Sequence, residues 1–509
     1  MSKKIAIVGA GPGGLTSAMI LAARGFDVSV YERRDRVGGR NAGFELDGFK
    51  FDTGPTFLML KFILDEMFKE AGKDINNYLK FTRLDPLYRL VFDDREFRPR
   101  VGAAAMKAEI ARVFPGEEAG YDGFAAGEKA RFEHLFPCLQ KDYATLSSFF
   151  SWPLIKAVPY LDLGSPVFDV LGRYFKEDKL KLAFTFQAKY LGMSPWECPG
   201  LFTMLSFIEH QYGIYHVEGG LNAISSAMAA AARENGAKIF LNSPVKQVLT
   251  TGGAAGGLLL ENGERVAADE VLLNADFGHA MTTLFEPGAL KKYSPERMAQ
   301  KEYSCSTFML YLGLDKVYSE IPHHSIVFAA DYRRNVEAIF GPKTLDEDIS
   351  VYFQNASVTD PTLAPAGKST LYALVPAPNL DGATDWEAKR AALRERVLDI
   401  AETRGGFKGL RGHIRVEKVI TPADWRSDYA VYKGATFNLS HKLSQMLYLR
   451  PRNKFEEMEN CWLAGGGTHP GSGLPTIYES ARITANLISD RHGVKYSEPG
   501  PLPEPEAAA

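Results

Sequence analysis

Cysteine is scarce. Four occur in 509 residues, Cys138, Cys198, Cys305 and Cys461, and no two share CxxC spacing. That excludes a disulfide scaffold and speaks against a metal centre or a redox dithiol; reduced, buried thiols in a cytoplasmic protein are expected. Charge of one sign is missing too. Lys+Arg number 59 and Asp+Glu 62, a net charge of -3, so no basic field invites nucleic acid. No uninterrupted apolar stretch reaches the ~20 residues that span a bilayer. An apolar strand-like run starts at Ile5, so no signal peptide is expected. An HExxH metal pair and a Ser/His/Asp nucleophile context are absent as well. What remains is an ordinary globular composition, 45% hydrophobic and 24% charged, in a chain too long for one core.

The informative stretch is Lys4 to Thr56. Ile5-Ala6-Ile7-Val8 has strand character, Gly9-Ala10-Gly11-Pro12-Gly13-Gly14 follows, and Leu15 to Ala23 reads as an apolar helix closed by Gly25. A second strand-like run, Val28 to Tyr31, ends on Glu32. Strand, glycine turn, helix, strand and acid form a dinucleotide-binding unit. Gly9 allows the tight turn, Gly11 lets backbone approach a pyrophosphate, and Gly14 lets the helix pack on the sheet. The helix start offers free N–H groups to phosphate. Glu32 suits ribose hydroxyls and opposes a 2′-phosphate. Arg33 follows, then Gly38-Gly39-Arg40 and Gly54-Pro55-Thr56: more flexible backbone and a second cation, as a longer, bent cofactor requires.

A second cradle closes the chain. Cys461-Trp462-Leu463 is strand-like, Gly465-Gly466-Gly467-Thr468-His469-Pro470-Gly471-Ser472-Gly473-Leu474-Pro475 is the turn, and a helix follows from Thr476 to Ile488. With these motifs the sequence resembles the FAD-dependent flavoproteins that include amine oxidases and carotenoid desaturases, and within them the bacterial phytoene desaturases. The resemblance extends from Ile5 to about Ile488. It implies an α/β fold, a Rossmann-like FAD-binding domain with an inserted substrate domain made of a helical cap and a mixed sheet. FAD is the implied cofactor. Gly9, Gly11, Pro12, Gly13, Gly14, Glu32, Arg33, Gly38, Gly39, Arg40, Gly54, Pro55, Thr56, Val245, Asn274, Asp276, Gly466, Gly467 and Leu474 are the implied binding residues. Many relatives carry an acid in the closing loop, whose place Gly466 or Gly467 takes here.

Along the chain, residues 1–102, 216–300 and 437–493 are expected to build the FAD domain, 103–215 a helical, aromatic-rich insert facing substrate or membrane, and 301–436 a sheet-plus-helix substrate domain. Residues 494–509, proline-rich, are expected to be a disordered tail. Leu146 to Leu163 is apolar and broken by Pro153 and Pro159. It reads either as a buried lid core or as a surface that dips into a membrane face.

The resemblance implies desaturation of a linear isoprenoid, with the membrane surface as a partner and a quinone or oxygen as electron acceptor. A flavin carries the redox step, which fits the lack of acid–base motifs. His469 is a catalytic candidate, opposed by a reading as a loop histidine. Glu177, Asp178 and Lys181 are candidates opposed by a solvated helix face. Trp196, Phe202 and Phe207 are candidate tunnel residues. Carotenoid isomerisation or end-group oxidation, amine or protoporphyrinogen oxidation, and flavin-free prenyl binding are the alternatives.

Overall fold

A computed structural model describes residues 2–505, except the side chains of Leu146, Phe149 and Tyr190. Five parallel strands form the first sheet, in the order Cys461–Leu463, Glu270–Leu273, Lys4–Val8, Asp27–Tyr31, Lys238–Phe240. The central strands, Lys4–Val8 and Glu270–Leu273, are short and buried almost throughout, as a parallel sheet covered on both sides requires. The helix Pro12–Ala23 shows why: every residue from Gly13 to Ala22 is buried. It is held among the helices Lys61–Glu70, Asn222–Glu234 and Leu474–Arg491. A three-stranded antiparallel layer, Val245–Thr251, Ala254–Leu260 and Arg265–Ala267, packs on the opposite side. This sheet draws on the first, middle and last thirds of the chain, the three expected parts of the FAD domain.

The second sheet has seven strands, in the order Ile414–Ile420, Ser306–Leu314, Ser369–Ala377, Val351–Gln354, His324–Val327, Arg89–Val91, Glu96–Phe97. Alternation along Ser306–Leu314 sets its two faces. Phe308, Leu310, Leu312 and Leu314 point to one side, against Trp386, Leu393 and Val397 of the long helix Trp386–Thr403. Met309 and Tyr311 point to the other, with Tyr372 and Trp425. The sequence boundary at residue 102 does not coincide with the sheets. Arg89–Val91 pairs in parallel with His324–Val327, and Phe49 and Phe51 pack on the second sheet. Those pairings are long-range, and local pattern carries no information about partners.

Residues 103–212 are helical, with Gly120–Leu139 the longest element there, and a strand, Tyr215–Val217, follows. Of the residues 494–509 expected to be disordered, 494–505 run back along the body, where Val494 and Leu502 pack on the core and Tyr212 donates to the Pro503 carbonyl. Residues 506–509 lie outside the described residues. Among the described residues, no helix is long and apolar enough to cross a membrane.

Candidate functional site

The two glycine turns meet. Gly9, leaving the first strand, has φ of 94°, a left-handed conformation that glycine tolerates best. The helix after it begins at Gly11 with no side-chain cap and with proline in its first turn. The helix Leu474–Arg491 likewise begins at Gly473 without one. Uncapped first-turn N–H groups at two converging helix starts, with the positive ends of both dipoles, make a site for anionic groups. A Cβ built on Gly13 would stand 3.3 Å from the Gly465 backbone.

Asn274 is wedged between the turns. Its Nδ2 donates to the Gly9 carbonyl at 3.3 Å. Its Oδ1 would lie 2.4 Å from a Cβ on Gly13 and 3.0 Å from one on Gly465. Glycine is therefore required at position 13 because an amide side chain already fills the space.

Charges fix the rim. The buried Glu32 carboxylate accepts from the N–H groups of Ala10, at 2.8 Å, and Arg34, at 2.9 Å. Arg40 donates to Asp276 Oδ2 at 3.2 Å and to the Thr436 carbonyl at 3.0 Å. Asp276 caps the helix Phe277–Thr283 through the His279 N–H, and also accepts from the Tyr432 N–H and from Asn438 Nδ2. Three separate segments are thus knotted at one carboxylate.

Behind the closing loop lies Arg450, fully buried. It donates to the carbonyls of Gly466, at 2.6 Å, Thr468, at 3.1 Å, Gln445, at 3.3 Å, and Ser440, at 3.4 Å. Burial pulls its pKa down to about 9, and among the described residues no carboxylate pairs with it.

One cavity of about 760 Å³ runs from these turns to the second sheet. Gly11, Glu32, Arg40 and Gly466 line its polar end; Met309, Ile326, Phe328 and Leu374 line its apolar end. Of the cofactor residues expected from sequence, all line this cavity except Gly14, Gly38 and Gly467. Those three stand behind it. A Cβ on Gly14 would lie 2.2 Å from the Gly9 carbonyl oxygen, and one on Gly467 2.4 Å from Phe277 Cβ; the Gly38 N–H donates to the Ala10 carbonyl. Their role is close packing.

The residues fit FAD. A ligand with phosphates, hydroxyls and a flat polar ring would meet two uncapped helix starts, a fixed carboxylate and Arg40. Among the described residues, Thr436 Oγ1 and Asn438 Oδ1 are buried on the cavity wall without a hydrogen-bond partner, which a polar ligand would supply.

The catalytic candidates lie elsewhere. His469 does not line the cavity; its Nε2 pairs with the Lys141 carbonyl at 2.8 Å, and burial pulls its pKa down to about 4. Glu177, exposed, precedes a half-buried helix, Asp178–Ala183, on which Lys181 pairs with Asp178 at 2.6 Å. Trp196 and Asp178 border a separate surface depression, while Phe202 and Phe207 are buried in the core. His469→Gln is expected to leave turnover within about threefold of wild type, because a neutral residue that touches no cavity atom contributes no general acid–base step, worth about 100-fold where one exists. Steady-state kinetics checks it.

Sequence reasoning missed Tyr352, whose hydroxyl meets Thr56 Oγ1 at 2.7 Å and His324 Nδ1 at 2.8 Å on the cavity wall. It missed Lys189 as well. The available signal was that Lys189 is the one charged residue between Lys181 and Glu197.

Comparison with known proteins places this geometry among others. A family model described as flavin-containing amine oxidoreductase matches residues 12–489. A 4,4′-diapophytoene desaturase (4,4′-diapolycopene-forming) of Methylomonas sp. is 56% identical over 98% of this chain and 97% of its own length. An all-trans-zeta-carotene desaturase of Myxococcus xanthus is 37% identical over 98% of this chain and 95% of its own. Among solved structures, a putrescine oxidase superposes with a TM-score of 0.63 at 16% identity, covering 96% of this chain and 98% of that one.

Proposed function

Since the chain belongs to the flavin-containing amine oxidoreductase family, we propose that it is an FAD-dependent carotenoid desaturase that places conjugated double bonds in a phytoene-type linear isoprenoid. The observation that carries this reading is the continuity of the FAD cradle with an apolar floor in one cavity. The 56% likeness to a 4,4′-diapophytoene desaturase makes that C30 chain the first substrate to test. FAD, when bound, supplies the oxidising power, taking up a hydride from an allylic carbon.

The chain's own residues do the rest. The glycine turns, Glu32 and Arg40 would hold the nucleotide, and Val245, which lines the same cavity, would meet its adenine with backbone. A hydrocarbon offers no hydrogen bond, so Met309, Ile326, Phe328 and Leu374 orient it by shape and exclude water. A carboxylate at the apolar end would suit a substrate ammonium. Here the cavity's acids, Glu32, Glu261 and Asp276, stand at the nucleotide end. Expression in cells that accumulate 4,4′-diapophytoene or phytoene tests the reading. Visible polyene absorbance supports it; flavin-loaded protein in colourless cells overturns it.

Such a substrate lives in bilayers, and the molecule carries a matching surface. Phe150 is 79% exposed, Trp152 65%, Val158 59%, and Ile155 and Leu163 are exposed beside them, all within residues 146–163. This patch is read as a peripheral membrane anchor on the cytoplasmic side, near a quinone or oxygen as electron acceptor. Replacing Phe150, Trp152 and Val158 by serine is expected to cut liposome binding about tenfold or more, each side chain being worth up to about 1.5–3 kcal/mol on burial. Sedimentation checks it; wild-type protein that stays in the supernatant overturns it.

A further inference from the structure

We propose that Lys189 is the base that receives the proton lost with each hydride, a role that rests on the desaturase reading. Two adjacent C–H bonds break to form one C=C bond. One carbon gives its hydrogen with the electron pair to the oxidant, FAD. The other gives a proton to the neutral Lys189 amine, whose lone pair forms the new N–H bond, while the electrons of that C–H bond become the π bond. Atoms, charge and electrons balance.

Geometry singles Lys189 out. It is half-buried on the short helix Phe186–Leu191 and lines the same cavity as the glycine turns and the apolar floor. Its Nζ lies 4.5 Å above the Tyr332 ring. Among the described residues no carboxylate comes within ion-pair distance of it. Two connections tie its helix to the flavin end. The Leu191 carbonyl pairs with His441 Nδ1 at 3.0 Å, and His441 Nε2 accepts from the Ser472 N–H of the closing loop at 3.1 Å. A Cβ on Gly192 would lie 2.2 Å from Ser304 Cβ, whose neighbour Cys305 also lines the cavity. The Ser304 Oγ in turn accepts from the Phe437 N–H beside Asn438.

The groups facing Lys189 from the packed elements are the Cys305 thiol and the Tyr332 phenol, with the His441 imidazole behind its helix at the Leu191 carbonyl. Burial holds all three neutral: it raises Cys305 to about 12, raises Tyr332, and lowers His441 to about 3. With no counter-charge, burial also brings the Lys189 ammonium down to about 7, so a useful share of the amine is free near neutral pH.

The sign follows. A base acts deprotonated, so turnover should climb as pH rises through about 7 and then level off. The test uses holoenzyme with 4,4′-diapophytoene in liposomes. Lys189→Met is expected to lower kcat about 100-fold with KM within a few-fold, and to remove the acidic limb. Lys189→Arg, permanently charged, should be equally slow. Competitive acetylation of wild-type protein across pH, read at the Lys189 peptide by mass spectrometry, gives a value free of turnover. Half-labelling near pH 7 is expected, well below the surface lysines. A Lys189→Met enzyme that keeps its rate and pH limb, or labelling that titrates with the surface lysines, overturns the role. A flavin-loaded wild type inactive on every polyene precursor would instead remove the desaturase reading itself.

Discussion

The Gly13→Val protein is expected to purify without its yellow colour. The first carbon of the new side chain would stand 2.4 Å from Asn274 Oδ1 and 3.3 Å from the Gly465 backbone. Neither neighbour has room to retreat: Asn274 is hydrogen-bonded to Gly9, and Gly465 follows a strand paired to Glu270–Leu273. The two further methyls project where phosphate must approach. Overpacking of this kind costs about 1–3 kcal/mol before any lost ligand contact is counted, so FAD affinity should drop about 100-fold or more, and turnover with it. Flavin absorbance per mole of protein and a binding isotherm for added FAD measure the effect. Gly412→Ala, where nothing lies within 4 Å of the added carbon, is the comparison expected to behave as wild type. A Gly13→Val protein with full flavin content would mean that the cradle is not where the pyrophosphate binds.

Arg450→Leu should be the most damaging single change outside the glycines. The guanidinium serves four carbonyls from two loops, and leucine would leave those of Gly466, Thr468 and Gln445 buried with no other donor among the described residues, Ser440 keeping only Gln445 Nε2. Removing one partner of a buried polar network costs about 3–5 kcal/mol. The loss falls on the closing loop, so both thermal stability and flavin retention should decline. Arg450→Lys should recover less than half of the loss, because a single ammonium lacks the planar fork that reaches carbonyls on several sides. Differential scanning fluorimetry together with the rate of flavin release reads both effects. Unchanged values for the leucine protein would show that the loop is held by its own glycines and not from behind.

The strand–turn–helix from Lys4 to Glu32 was legible because its evidence is local: every element sits within a few residues of the next, and each glycine has a steric reason visible in the spacing. Lys189 and Arg450 were not. A basic residue in sequence reads as solvated, and only tertiary packing removes the carboxylates and water that would make it so. The pairing of Arg89–Val91 with His324–Val327 was hidden likewise, since a strand's pattern shows which face is apolar and not which strand lies beside it. The patch around Trp152 looked the same as core in the sequence, because apolar composition does not say which side faces out.

One strand of the first sheet, Cys461–Leu463, and the helix after it come long after the strands Lys4–Val8 and Asp27–Tyr31, whose sheet they join. Until they have been made, the emerging protein has half a socket. Loading must therefore wait until both glycine turns are out of the ribosome. A prematurely terminated chain then leaves the ribosome chemically inert, unable to start oxidising polyenes it has no means to finish.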